Sequence, residues 1–201
     1  MLNSEYLSNL NENQREAVEC LDGPLLIVAG AGSGKTKVLT SRIAHIIKKN
    51  KAFPNQILAV TFTNKAAKEM QLRVSKLLKK DATGLPWLGT FHSISAKLLR
   101  KHADAVGLKS NFSIIDQDDQ VRLIKNICKA ENVDIKKISP KFILAIIDKW
   151  KNKGFYPQDV ILKRKDPLEK NFLSIYKIYQ EKLVNLNSTD FSDLILHTVK
   201  I

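Results

Sequence analysis

The chain has 201 residues, with 33 Lys+Arg against 20 Asp+Glu, a formal net charge of +13, 44% hydrophobic and 26% charged residues. That balance belongs to a packed globular chain rather than a disordered one, and the length suits one domain or one plus part of a second. No apolar run approaches the ~18 residues needed to cross a bilayer, the polar start lacks a secretory core, and two distant cysteines with four scattered histidines argue against a disulfide scaffold or a zinc site, so the expectation is a cytoplasmic protein.

In chain order, Asn11 with Gln14 three residues on has the form of a capping box, opening a helix that runs to Leu21. Asp22-Gly23-Pro24 breaks it, and Leu25 to Ala29 reads as a buried parallel strand. After a glycine-rich loop, the spacing of Leu39, Ile43, Ile46 and Ile47 predicts an amphipathic helix. Ile57 to Phe62 is a second buried strand, and Asn64 is expected to cap a helix with Ala67, Met70, Val74, Leu77 and Leu78 on its apolar face. Trp87 to Phe91 is a third, short strand, followed by a helix from His92 to about His102. This βαβαβ order predicts an open parallel sheet with right-handed crossovers.

From about residue 95 the pattern is helix after helix. Gln117–Glu131 is amphipathic, and Ser139-Pro140 supplies a cap with proline at the first helical position before Phe142 to Trp150. Asp166-Pro167 repeats that signal ahead of Phe172, Ile175, Tyr176, Tyr179 and Leu183, and Asp190-Phe191 starts a last helix. The positive excess is spread over both halves; a polyanionic partner is compatible with it, as is a general lysine bias. The expected organisation is an α/β nucleotide-binding layer over 1–94 and an all-helical unit over 95–201.

The most specific chemistry is Ala29-Gly30-Ala31-Gly32-Ser33-Gly34-Lys35-Thr36, lying between a predicted strand and a predicted helix. It fits the Walker A pattern with alanine at its first position. Glycines let the backbone wrap closely enough to aim N–H groups at phosphate oxygens, and the helix that follows offers its positive end to the same anion. Lys35 supplies a mobile charge for the β/γ-phosphates, and the Thr36 hydroxyl can ligate Mg²⁺. These residues point to ATP or GTP with Mg²⁺.

Around this loop the sequence resembles the UvrD/Rep/PcrA-type superfamily 1 DNA helicases. The stretch Leu10 to Val18, with Gln14, resembles their Q motif, and AGAGSGKT is their form of the phosphate loop. Ala59 to Ala67 with Glu69-Met70 resembles motif Ia, and Gly89-Thr90-Phe91-His92-Ser93 the next DNA-contacting motif. Asp116 to Gln120 and Thr189 to Leu194 resemble the helical insertion called 1B, so the likeness covers nearly the whole chain.

The resemblance implies a RecA-like P-loop fold, incomplete here, with 1–94 as the start of domain 1A and 95–201 as most of 1B. It implies that Gln14 reads adenine, its amide donating and accepting at once. Lys37 stands where relatives often carry arginine beside the base; lysine keeps the charge but loses the planar stacking surface. Phe62, Thr63, Asn64, Thr90, Phe91 and His92 would line a path for single-stranded DNA, as in a 3′→5′ helicase of DNA repair or replication that acts at single-strand/duplex junctions. On the residues alone, Phe62 ends an apolar run and reads as core, Gln14 as a capping side chain, and His92 as a structural histidine.

ATP hydrolysis also needs an Asp for Mg²⁺ and a Glu to position water, and no Asp-Glu pair occurs in the sequence. Asp116 ends an apolar run but precedes Gln117, so it reads as a helix cap. The expectation is therefore an N-terminal helicase fragment that binds ATP without turning it over, its remaining portion supplied in trans or lost. The alternative is a non-catalytic ATP- and DNA-binding module or a remnant. Unpaired sheet edges and exposed apolar surface are expected with it.

Overall fold

The computed structural model describes residues 5–79, 84–135, 137–162 and 167–201. It is mixed α/β, mostly helical with short parallel pairs, and divides into two compact units, 1–94 and 95–201.

In the first unit the elements are α1 (Glu5–Ser8), α2 (Glu12–Glu19), α3 (Lys35–Lys48), β1 (Ala59–Thr61), α4 (Asn64–Leu78) and β2 (Leu88–Thr90). The capping box at the start of α2 forms: Gln14 N donates to Asn11 Oδ1 at 2.9 Å and Asn11 N donates to Gln14 Oε1 at 3.2 Å. β1 and β2 pair in parallel, with Ala59 opposite Leu88 and Thr61 opposite Thr90. Parallel strands need a crossover, and α4 provides it. Its apolar stripe, Ala67, Met70 and Val74, buries against Ile43 of α3, Ala59 of β1, and Leu85 and Leu88. The larger of these side chains, Ile43, Met70, Val74, Leu85 and Leu88, contribute about 1.5–3 kcal/mol each on leaving water.

Four expectations are corrected here. Leu25 to Ala29 forms no strand, and Leu26 and Val28 are 87% and 90% exposed. A fully apolar strand is stable only between two partners, and the described residues of this unit pair β1 with β2 alone, leaving nothing to flank it. The open multi-strand sheet is thus absent among the described residues. Asn64 is the first helical residue rather than the cap of α4; Thr63 sits in extended backbone and its hydroxyl accepts from Ala66 N at 3.1 Å. Strand β2 stops at Thr90, and Phe91 already belongs to the next helix.

That helix is α5 (Phe91–Lys101). The second unit then holds β3 (Ser113–Ile114), α6 (Gln117–Ala130), α7 (Pro140–Lys151), α8 (Pro167–Asn185), β4 (Ser188–Thr189) and α9 (Phe191–Lys200). Asp116, Ser139 and Asp190 cap α6, α7 and α9, each through a side-chain oxygen accepting from the N–H three residues on. The cap expected from Asp166 lies outside the described residues. Facing stripes of α6, α7 and α8 make the largest core, with Ile124, Ile127, Ile143, Ile147, Tyr176 and Tyr179 each fully enclosed. A smaller cluster joins Leu99, Leu108, Phe112 and Leu194. The unit is not purely helical: β3 and β4 form a two-residue parallel pair, Ser113 opposite Ser188 and Ile114 opposite Thr189.

At its centre lies a buried ionic group. Lys151 Nζ reaches Asp190 Oδ2 at 2.6 Å and Asp193 Oδ1 at 2.8 Å, all three side chains 0% exposed. Tyr179 OH donates to Asp190 Oδ2 at 2.9 Å and Gln180 Nε2 to Asp193 Oδ2 at 2.9 Å. The two carboxylates hold the Lys151 ammonium above its ordinary value against the opposing effect of burial. Two histidines are held below their ordinary values, chiefly by burial: His45 in the first unit and His197 in the second.

Candidate functional site

The glycine loop lies in the first unit and delivers the chain into α3. Gly32 and Gly34 have φ of +76° and +89°, a region that glycine enters without strain. At Gly34 the requirement is double, because an added Cβ would also lie 3.0 Å from Gln14 Nε2. Gly34 is the N-cap of α3 and makes no side-chain cap, unlike the caps of α2 and α4. The first turn of α3 therefore keeps its N–H groups without intrahelical or capping acceptors, beside the exposed backbone of Gly30 to Ser33.

Of the side chains expected to serve this site, Lys35, Ser33 and Gln14 bond to the loop backbone. Lys35 Nζ donates to Ala29 O at 2.8 Å and Gly30 O at 2.6 Å. Ser33 Oγ donates to Gly30 O at 2.7 Å. Gln14 spans the helix–loop gap: its Oε1 accepts from Asn11 N while its Nε2 donates to Ser33 O at 3.0 Å. The capping reading of Gln14 holds, and the other end of the same amide is spent on the loop. Lys37 Nζ donates to Asn9 O, and Ala31 and Thr36 are exposed on the loop and first helical turn.

Sequence reasoning missed two parts. Asn9 enters only through its backbone carbonyl, which no side-chain pattern announces. Arg42, two turns along α3, donates through its guanidinium to Ala17 O and Cys20 O at the end of α2. That staple holds the helix carrying Gln14 beside the loop. Its one readable trace is an arginine amid the helix expected to pack there.

The donor set suits a polyphosphate. Backbone N–H groups around two left-handed glycines, a helix N-terminus without a cap and the Lys35 ammonium form a cation-rich cradle. Lys35 now satisfies itself on two loop carbonyls, a position from which a phosphate oxygen is the stronger acceptor. The Thr36 hydroxyl offers a hard oxygen suited to Mg²⁺.

At the ends of β1 and β2 the remaining candidates form a second cluster. Phe62 is 88% exposed, so the core reading of this residue is overturned: the strand has ended and its ring lies on the surface. It meets Phe91 with ring centroids 5.5 Å apart and planes at 48°. Thr63 spends its hydroxyl on the α4 cap, while Asn64 is exposed at the first turn. Thr90 is buried, and its N–H donates to Ser93 Oγ at 2.9 Å while its Oγ1 accepts from Ser93 N at 3.2 Å. Gly89 permits that closure, since a Cβ there would come within 2.7 Å of Ser93 Oγ. His92 is exposed on the first turn of α5. Asp116 belongs to neither cluster; its Oδ1 accepts from Asp119 N at 2.9 Å, the capping role read from the sequence.

Comparison with known proteins places these features in context. The family model of the UvrD/REP helicase N-terminal domain matches residues 10–201. The "Probable DNA helicase II homolog" of Rickettsia conorii is 47% identical over 98% of this chain. The ATP-dependent DNA helicases PcrA of Staphylococcus epidermidis and Bacillus subtilis are each 44% identical, over 97% and 100% of it. The chain spans 27% to 30% of the length of these relatives. Among the described residues no helix is long and apolar enough to cross a membrane. With the phosphate-loop sequence, the Q-type glutamine and the two strand-end motifs all inside the matched span, the chain belongs to the UvrD/REP helicase N-terminal domain family.

Proposed function

We propose that this chain is the ATP-binding N-terminal part of a cytoplasmic 3′→5′ DNA helicase or translocase, acting on single-stranded DNA and its junctions with duplex in repair or replication. Residues 1–94 serve as the first part of a RecA-like P-loop domain 1A, and 95–201 as the 1B subdomain. Ala29 to Thr36 wrap the triphosphate, Lys35 pairs with its β/γ oxygens, Thr36 holds Mg²⁺, and Gln14 and Lys37 attend the adenine end. Bound Mg²⁺ supplies charge neutralisation between the phosphates. Phe62, with Phe91 beneath it, offers a stacking face to an unpaired base, and Thr63, Asn64, Thr90 and His92 border the strand path.

The observation that supports this reading is the hydrogen bond from Gln14 Nε2 to Ser33 O, which holds beside the glycine loop the side chain that the proposal assigns to adenine, in a family whose curated relatives are ATP-dependent DNA helicases. The sequence contains no Asp-Glu pair, so by itself the chain binds ATP without turnover, and the rest of a helicase supplies that chemistry, in cis or in trans. A titration of labelled ATP tests the reading: saturable Mg²⁺-dependent binding is expected, abolished by Lys35→Ala. No saturation at millimolar nucleotide would refute it. Turnover that Lys35→Ala abolishes would refute the inactivity.

A further inference from the structure

A second basic cavity lies in the first unit, between α1, α3 and α4, with a volume of about 670 Å³. Small-molecule sites typically measure ~300–1,000 Å³, so this one is large enough to hold a ligand rather than a few waters. Its charge is one-sided. Lys37, Lys48, Arg73, Lys76 and Lys79 line it, and none of its described lining residues is acidic. Three of the lining residues are themselves enclosed: Tyr6 is 7% exposed, and Thr40 and Ser41 are each 2% exposed.

The wall is also built. Tyr6 OH shares a 2.7 Å hydrogen bond with His45 Nδ1, fixing α1 on α3, and Lys48 Nζ lies 4.2 Å from the centre of the Tyr6 ring. Lys37 reaches across to Asn9 O from the other side. Arg73 shares part of its guanidinium with Glu69 one turn earlier, leaving further N–H donors in its planar fork. Ordinary solvated cations on one helix face would diverge; these come from two helices, α3 and α4, and line one hollow. Among the described lining residues the one aromatic side chain, Tyr6, is enclosed and carries a lysine over its ring, so it offers no open face for a nucleobase to stack on.

We propose that this cavity is an anion site for a compact ligand bearing two or more linked phosphoryl groups, distinct from the phosphate loop and touching it through Lys37. An anion that draws the Lys37 ammonium away from Asn9 O would alter the adenine end of the nucleotide site, so occupancy of the two sites is coupled.

Inorganic tripolyphosphate is the probe, titrated calorimetrically into the full 201-residue chain at fixed ionic strength. Lys35→Ala serves as the background that removes the phosphate loop, and the pair Arg73→Gln/Lys76→Gln as the background that removes the cavity. Both changed cations of the pair are exposed on α4, so folding is retained and circular dichroism checks it. The expected result is binding that survives Lys35→Ala and weakens about tenfold or more in Arg73→Gln/Lys76→Gln, the loss of two charge-assisted contacts. Amide shifts at Ser41 and Leu77, rather than at Gly32, should accompany binding in the Lys35→Ala chain. Loss of all binding in Lys35→Ala, or unchanged binding in the Arg73/Lys76 variant, overturns the proposal. So does displacement of the probe from Ser41 and Leu77 by a single-stranded oligonucleotide at equal phosphate, which would make the occupant a phosphodiester chain. Failure of ATP to bind the wild-type chain would instead count against the proposed function.

Discussion

Replacing Lys151 by methionine removes one cation from the most enclosed charge group in the protein and keeps nearly the same volume. In the native unit Lys151 lies 2.6 and 2.8 Å from two carboxylates, with all three side chains out of contact with water. Coulomb's law at an effective dielectric of about 20 gives each pair roughly 6 kcal/mol of attraction, most of it consumed by desolvation. The variant cannot recover that desolvation, because Asp190 and Asp193 remain buried beside each other. Removing one partner of such a group costs about 3–5 kcal/mol, a large part of a domain's stability. Urea unfolding followed by Trp150 fluorescence measures it, with Trp87→Phe in the background so that the signal comes from the second unit, where Trp150 stacks on Tyr176 at 5.9 Å.

A deficit under about 1 kcal/mol at pH 7 would refute the reasoning.

Phe62→Ala should leave unfolding stability within about 0.5 kcal/mol, since the ring is 88% exposed, yet weaken single-stranded DNA binding about tenfold by loss of a stacking face; an unchanged affinity in fluorescence anisotropy would remove Phe62 from the strand path. Burial holds the Asp148 carboxyl above the usual carboxylate range while Ser192 donates to it at 3.0 Å. Its contribution is fully present below the unfolded pKa and lost as pH rises through the folded one, so Asp148→Asn, which keeps an acceptor for Ser192, should stabilise the chain at pH 7 and lose that advantage near pH 3. His45 is lowered by burial first and by Lys49 second. The docking of α1 through Tyr6 is therefore fully supported above the unfolded value of about 6.5 and weakens as pH falls below it; proteolysis of the N-terminal segment should accelerate between pH 7 and 5.5 and not between pH 8 and 7.

What the sequence disclosed and what it concealed divide by the range of the interaction. The caps at Asn11, Asp116, Ser139 and Asp190 were readable because a cap is decided within three residues. The error at Asn64 is of the same range: Thr63 and Asn64 are both competent caps, and the end of β1 placed Thr63 in extended backbone. Leu25 to Ala29 failed for the opposite reason. Its apolar run states a demand for two flanking strands, and a run of residues cannot state whether those strands are present. The β3–β4 pair was invisible because two residues on each side, separated by most of the second unit, carry no pattern of their own.

The same division explains the candidate sites. The glycine loop was legible because left-handed backbone, close approach and a helix start all act on neighbouring residues. Phe62 was not, because its position in an apolar run argued for burial, and only the place where β1 ends turned the ring outward. An 88% exposed phenylalanine stabilises nothing in the fold that carries it, and it costs solubility. Its one contact of note is the second exposed-side aromatic, Phe91, at 5.5 Å, so what the fold supplies at this point is a paired aromatic surface. A surface of that kind, at the mouth of a parallel strand pair and beside the first turn of α4, has its physical use in meeting another flat, apolar face. In the function proposed above that face is an unstacked base, with the exposed Asn64 and His92 bordering the backbone that accompanies it.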